Sequence, residues 1–367
     1  MARAEARGGL DGRAGGAKEW EKIVDLLEWR RISETPTAWR HRYEAHVGLL
    51  LEDLASRDEA AAAIQAGLAL IGAPRRRAFL RAPLVASRLL AVRLGESFDP
   101  GPIAASLMAE LTLAGKTEPG PSSGWTALGD RFVDSAAPRR GERLAGTSVR
   151  VDLAGPTEFR TAAAVLRRTS AAEWRAARPK LSEAIRAMRA VAAAFALWRE
   201  SIDVLALRSS LEESRFSSIS LAHNARVSLM VDVHETKCTR PVLVEALVHE
   251  AIHSFIFMRE AMTGSLVSDA RSVIEITSPW TGRRLFLSGF AHACFVWWGV
   301  LNFWTRSMAS GNWSDAECRP QLERARKGFA ARPVSSLGRE ARDRLSAATA
   351  RALEQIEVRG ARAAQIS

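Results

Sequence analysis

Cysteine is scarce in this chain. Cys238, Cys294 and Cys318 are an odd number with no close spacing, which excludes a disulfide framework and a cysteine-based zinc site and points to a reducing compartment. The first twenty residues, MARAEARGGLDGRAGGAKEW, lack an apolar core segment. They carry no secretory signal and read as a flexible arm over residues 1–18. The net charge is +11, yet arginine is spread along the whole chain and no nucleic-acid motif occurs, so no nucleic-acid partner is expected. A long run without Asp, Glu, Lys or Arg occurs once, at Leu285–Trp304. It is long enough to cross a bilayer, but Ser288, Gly289, His292, Gly299 and Asn302 interrupt it, and a buried core helix is the better reading. With 47% hydrophobic and 25% charged residues, a cytoplasmic globular protein with a sizeable core is expected.

What is present is mostly helical periodicity. Residues 20–31, 35–56, 58–72 and 76–93 have apolar residues at helical spacing. Residues 116–130 are a loop by composition, an irregular stretch follows to about 158, and 159–208 is helical again with a break expected near Pro179. At about 214 the texture changes: 216–220, 226–233 and 272–277 have strand-like composition. Residues 314–360 form two or three polar helices punctuated by Arg332-Pro333. The expected fold is mainly α, a helical bundle with a few short strands around a metal site on two helices. Its regions are the arm 1–18, a helical region 19–208, a metal-site region 209–310 and C-terminal helices 311–367.

Histidine is sparse too, seven in 367 residues, but two are arranged with purpose. Residues 241–262, PVLVEALVHEAIHSFIFMREAM, contain His249-Glu250-Ala251-Ile252-His253. Residues four apart on a helix stack on one face, so both imidazoles address one point and can share a metal ion. Pro241 suits the first turn, the polar Lys237–Arg240 leads in, and Gly264 stands where a stop is expected. Buried imidazoles and a carboxylate on a greasy helix need partners, and a metal supplies one. His41 and His46, five apart, share no face and are not expected to be ligands.

Two histidines hold a metal poorly, and a third ligand decides the chemistry. Glu275, 22 residues after His253, would suit a thermolysin-like zinc peptidase, but its surroundings are strand-like and position 279 is Pro. Arg259 occupies the position where Met-turn peptidases need a third His. His292, in Ser288-Gly289-Phe290-Ala291-His292, is the remaining downstream histidine, and three neutral imidazoles suit Fe(II) or Zn(II).

The ordered combination VHEAIH, ITSPWTGRRLF and LSGFAHACFVWWGVLNFW resembles the HExxH-type α-ketoglutarate-dependent peptide β-hydroxylases found with ribosomally made, post-translationally modified peptides. The likeness covers residues 214–307. The turn departs from the family's Ser-Pro-Trp-Arg pattern, with Thr281 after the Trp and then Gly282-Arg283-Arg284. The resemblance implies Fe(II) on His249, His253 and His292, and α-ketoglutarate at the turn that carries Ser278 and Trp280. Arg283 or Arg284 would take its distal carboxylate through bidentate hydrogen bonds. Glu250 would orient a ligand. The expected function is oxygenation of a peptide side-chain carbon with O2 as co-substrate, and the positive charge suits an acidic leader peptide. Two alternatives stay open: a zinc metallopeptidase with Glu250 as general base, and a catalytically inactive helical peptide-binding partner.

Overall fold

The computed structural model describes residues 15–365 apart from 94, 118–123, 134–138, 145, 154–165, 212–214, 221–225 and 269–272. The N-terminal helices are α1 (Gly15–Leu26), α2 (Thr35–Ala55), α3 (Glu59–Ala69), α4 (Ala73–Arg81), α5 (Pro83–Arg93) and α6 (Gly101–Leu113). Three short strands follow, β1 (Gly124–Trp125), β2 (Arg131–Val133) and β3 (Arg139–Arg140). The middle of the chain holds β4 (Arg150–Asp152), β5 (Leu166–Arg168), α7 (Ala171–Met188), α8 (Ala192–Ser201), β6 (Val204–Ser210), β7 (Ser217–Ile219) and β8 (Val227–Val231). The remainder is α9 (Arg240–Thr263), β9 (Glu275–Thr277), β10 (Arg284–Phe286), α10 (Leu287–Ala309), α11 (Asp315–Ala330), α12 (Arg339–Arg344) and α13 (Ala347–Gln365). The expectation of a mainly α fold with a few short strands holds. Of the arm expected over 1–18, residues 1–14 lie outside the described residues, and α1 already begins at Gly15.

The chain divides into two compact units. A sheet unit comprises Arg31–Met262 with Ser310–Trp313, and a helical unit comprises Met1–Arg30, Thr263–Ala309 and Ser314–Ser367. Their boundary at 262/263 falls inside the segment 209–310 that the sequence suggests as one region.

In the sheet unit, β4, β6 and β8 run parallel and β7 closes one edge antiparallel to β8. The seven-residue β6 is bordered on its other side by β4 along its first half and β5 along its second. All five residues of β8 are buried. Val204, Ala206, Val227, Leu229 and Val231 form the sheet's apolar cluster, in the continuous runs that central parallel strands require. The helical expectation for 159–208 is therefore corrected in part. Residues 166–168 form β5 and residues 204–208 belong to β6, because short runs carry no decisive period and their pairing partners decide their state. Residues 154–165 lie outside the described residues. Pro179 sits inside α7 and does not break it. One lost N–H is outweighed by the buried face Trp174, Ala177, Leu181, Ala184, Ile185 and Met188, and by a capping box at Ser170 and Glu173. Pro83 has the opposite effect: it divides the expected helix 76–93 into α4 and α5.

In the helical unit, α10 carries the charge-free run into the core, with Phe290, Phe295, Phe303 and Trp304 among the largest fully buried side chains. Residues 284–286 of the expected turn and helix start instead form β10, which pairs with β9 as a hairpin. Arg359 Nη1 on α13 ties α1 through Asp25 Oδ1 at 2.6 Å and continues to Glu28 Oε1 at 2.7 Å. Trp280 packs between α10 and α11. Its ring stacks on Trp297 at 5.9 Å and meets Phe329 edge-on at 5.1 Å. Gly328 of α11 lies directly against it, and a Cβ there would come within 2.0 Å of Trp280 Nε1. Gly328→Ala is expected to destabilise this unit by about 1–3 kcal/mol through overpacking, read as a lower melting temperature with weakened tryptophan near-UV dichroism.

Among the described residues one helix, α9, is long and apolar enough to cross a membrane, with mean hydropathy 1.4 over a window that is 72% buried in the fold.

Candidate functional site

α9 is the helix that the H-E-x-x-H spacing predicts. Leu243 N–H donates to Thr239 O at 2.9 Å in its opening turn. At its other end Gly264 adopts φ +98°, a left-handed stop that costs glycine nothing. From Leu243 to Arg259 every residue is buried except His249, His253 and Phe257. These lie at successive i+4 positions, so the one accessible stripe on a buried helix carries both imidazoles.

The two Nε2 atoms are 3.2 Å apart. Two imidazole nitrogens bound about 2.1 Å from one ion, at angles between octahedral and tetrahedral, stand roughly 3.0–3.4 Å apart. The separation therefore matches that of two imidazole ligands on one ion. A single N–H···N hydrogen bond between neutral rings also fits that distance. His253 is steadied on its other side by Phe257, at 5.8 Å between ring centroids and 18° between planes.

Glu250 distinguishes the site from ordinary helix packing. It is 2% exposed. Its Oε1 accepts a hydrogen bond from Ser218 Oγ at 2.7 Å, while Oε2 is buried and has no partner. Burial pushes the carboxyl up to about 7, against the opposing pull of the Ser218 and Ser220 hydroxyls. Several other carboxylates of this unit lie against arginine: Glu44 with Arg81, Glu110 with Arg75, Asp152 with Arg208, Glu200 with Arg40 and Asp203 with Arg226, while the buried Asp232 accepts from the Ser210 N–H and hydroxyl and from the Arg215 N–H. Among the described residues no arginine or lysine pairs with Glu250. Glu250 follows His249 directly on α9, and its carboxyl is buried with one oxygen free of hydrogen bonds, where an unmade hydrogen bond is costly.

The other candidates belong to the helical unit. His292 is on α10 in the helical unit, 4% exposed. Among the described residues no group of three or more His, Cys, Asp or Glu is arranged to hold a metal; within the sheet unit the imidazoles His249 and His253 form a pair. Glu275, weighed as a peptidase ligand, is exposed on β9 and forms an ion pair with Arg284 of β10. That pairing engages Arg284. Arg283 is exposed and, among the described residues, pairs with no carboxylate. Ser278 is buried and closes the turn: its N–H donates to Arg283 O, its carbonyl accepts from Gly282 N–H, both at 2.8 Å, and its Oγ accepts from Thr281 N–H at 3.3 Å. Trp280 Nε1 donates to Ala325 O at 3.2 Å inside the helical core. Both side chains of the Ser-Pro-Trp turn thus have structural partners in their own unit.

Ser218 and Ser220 were not legible as site residues. Their only signal in the sequence is the alternating Ser-x-Ser of a short strand, which says nothing about the element it faces.

No family model matches the chain, and no curated protein is similar to it.

Proposed function

We propose that this chain is a metal-dependent oxygenase that uses Fe(II) and α-ketoglutarate to hydroxylate a side-chain carbon of a ribosomally made peptide in the cytoplasm. One observation carries the metal part of this reading: two imidazole nitrogens 3.2 Å apart on the accessible stripe of α9, in a helix that also holds a buried carboxyl with one oxygen free of hydrogen bonds. The class of reaction rests on the resemblance of residues 214–307. Fe(II) with α-ketoglutarate and dioxygen supplies hydroxylation of an unactivated C–H bond, with succinate and carbon dioxide as co-products.

The chain's own residues have separate tasks. Neutral His249 and His253 donate Nε2 lone pairs, and Phe257 keeps the His253 ring from turning away. The reading requires a further ligand, for which His292 is the candidate from the sequence. Glu250 offers an acceptor oxygen beside the ligands. Arg283 is better suited than Arg284 to take the distal carboxylate of α-ketoglutarate, because Arg284 is engaged with Glu275. An acidic peptide segment suits the net charge of +11.

A zinc metallopeptidase is the second reading. The observation that favours it is Glu250, whose carboxyl near 7 matches a general base working at neutral pH. Metal content of anaerobically purified protein, followed by assay, separates the two. The oxygenase is expected to retain iron, convert α-ketoglutarate to succinate and add one oxygen atom to a peptide. The peptidase would retain zinc, cleave peptides and lose that activity in E250Q. Zinc content with peptide cleavage and no succinate would reject the oxygenase.

A further inference from the structure

β7 is the edge strand of the sheet, and its side chains alternate. Ser217 and Ile219 are exposed, while Ser218 and Ser220 turn toward α9. Ser218 Oγ donates to Glu250 Oε1 at 2.7 Å. Ser220 Oγ lies 3.4 Å from the main-chain oxygen of Glu250 and 3.5 Å from Ser254 Oγ. A strand that borders a buried helix ordinarily turns apolar side chains toward it. Here two serines face it, and they do so at a carboxylate that has no arginine.

The consequence lies in which oxygen is used. A carboxylate has about four acceptor positions on two oxygens. With Oε1 anchored by Ser218, Oε2 is left buried without a hydrogen bond, a setting in which an unmade hydrogen bond is costly. We propose that Ser218 is a positioning residue for the metal centre: by occupying Oε1 it holds Glu250 in one orientation and reserves Oε2 for a donor that arrives with the bound metal ion. This inference rests on the reading of His249 and His253 as metal ligands. It adds a residue from a different element, 32 positions away from Glu250 in sequence, and makes β7 part of the site's support.

The test is Co(II) titration of the metal-free full-length chain, followed by visible absorption and calorimetry, with a thermal melt of each metal-free variant. Wild type is expected to bind Co(II), and Ser218→Ala to bind it about 10- to 100-fold more weakly, the usual scale for partners behind a metal's ligands. Ser218→Thr keeps the hydroxyl and is expected to restore affinity to within roughly threefold. Ser218→Cys, similar in size with a weaker donor, should fall between them and covers the case in which the alanine variant folds poorly. Glu250→Gln should weaken binding as Ser218→Ala does, and the double variant should be no weaker than Glu250→Gln alone, because both act through one carboxylate. A merely structural serine would lower the metal-free melting temperature and leave Co(II) affinity unchanged, and that result overturns the proposal, as does additivity in the double variant. If wild type binds no Co(II), the metal reading itself falls; if wild type binds and Ser218→Ala binds equally, only the role of Ser218 falls.

Discussion

Replacing His253 with alanine is expected to abolish tight metal binding and, with it, any turnover. Structural zinc sites contribute about 10–16 kcal/mol over four ligands, so one imidazole is worth roughly 3–4 kcal/mol, or on the order of 10²- to 10³-fold in affinity. The fold should survive, because His253 belongs to the accessible stripe of α9 and its stacking on Phe257 is worth only about 0.5–1.5 kcal/mol. Metal analysis and Co(II) titration of the variant, with circular dichroism of the metal-free protein, provide the check. His46→Ala is the matched control. His46 is on α2 and faces Arg93 at 3.0 Å, and its removal should leave metal affinity unchanged. His292→Ala tests the third ligand by the same titration: a loss comparable to that of His253→Ala supports the three-imidazole centre, and unchanged affinity removes His292 from it. Wild-type affinity in His253→Ala would mean that the close approach of the two rings is only a hydrogen bond between neutral imidazoles.

Arg226→Met is expected to lower the stability of the sheet unit by about 3–5 kcal/mol, the scale for leaving a buried charge without its partner. Arg226 is fully buried. Its Nε donates to Asp203 Oδ2 at 2.6 Å, and its Nη1 to Glu200 O at 2.7 Å and toward Met258 Sδ at 3.2 Å. It links the start of β8 to the start of β6, to the end of α8 and to α9. Burial alone would raise the carboxyl of Asp203, but the Arg226 guanidinium, with smaller help from Arg81 and Arg40, holds it below its ordinary range. A depressed carboxylate adds stability at pH values above its unfolded pKa, and that contribution fades as pH falls through the folded value. The deficit of Arg226→Met should therefore be largest at neutral pH and shrink as pH drops below the ordinary carboxylate range, where both proteins carry a protonated Asp203. Chemical denaturation at several pH values, read through hydrogen exchange of β6 and β8, checks both magnitude and trend. A deficit that stays constant with pH would show that lost packing, and not the ion pair, accounts for the change.

Much of the element inventory follows from local patterns. α9 is legible because Pro241, an uninterrupted apolar run and Gly264 agree with each other. β7 and β8 are legible from their composition, and α10 from the absence of charge. β6 is not, because VLAL is as good a piece of buried helix as of strand until parallel neighbours on both sides settle it. The divergent effects of Pro83 and Pro179 are equally non-local. Each removes one N–H, and the buried face that continues past Pro179 decides that α7 carries on.

The same division runs through the site. The pairing of His249 with His253 was determined by sequence alone, since residues four apart on a helix share a face whatever surrounds them. The tertiary structure decided what Glu250 meets, a serine hydroxyl on an edge strand instead of an arginine, and that Arg284 pairs with Glu275 across a hairpin while Arg283 does not. Such contacts join segments that are independent in the sequence, and the burial that makes a carboxylate's unmade hydrogen bond significant exists only once the chain has closed around it.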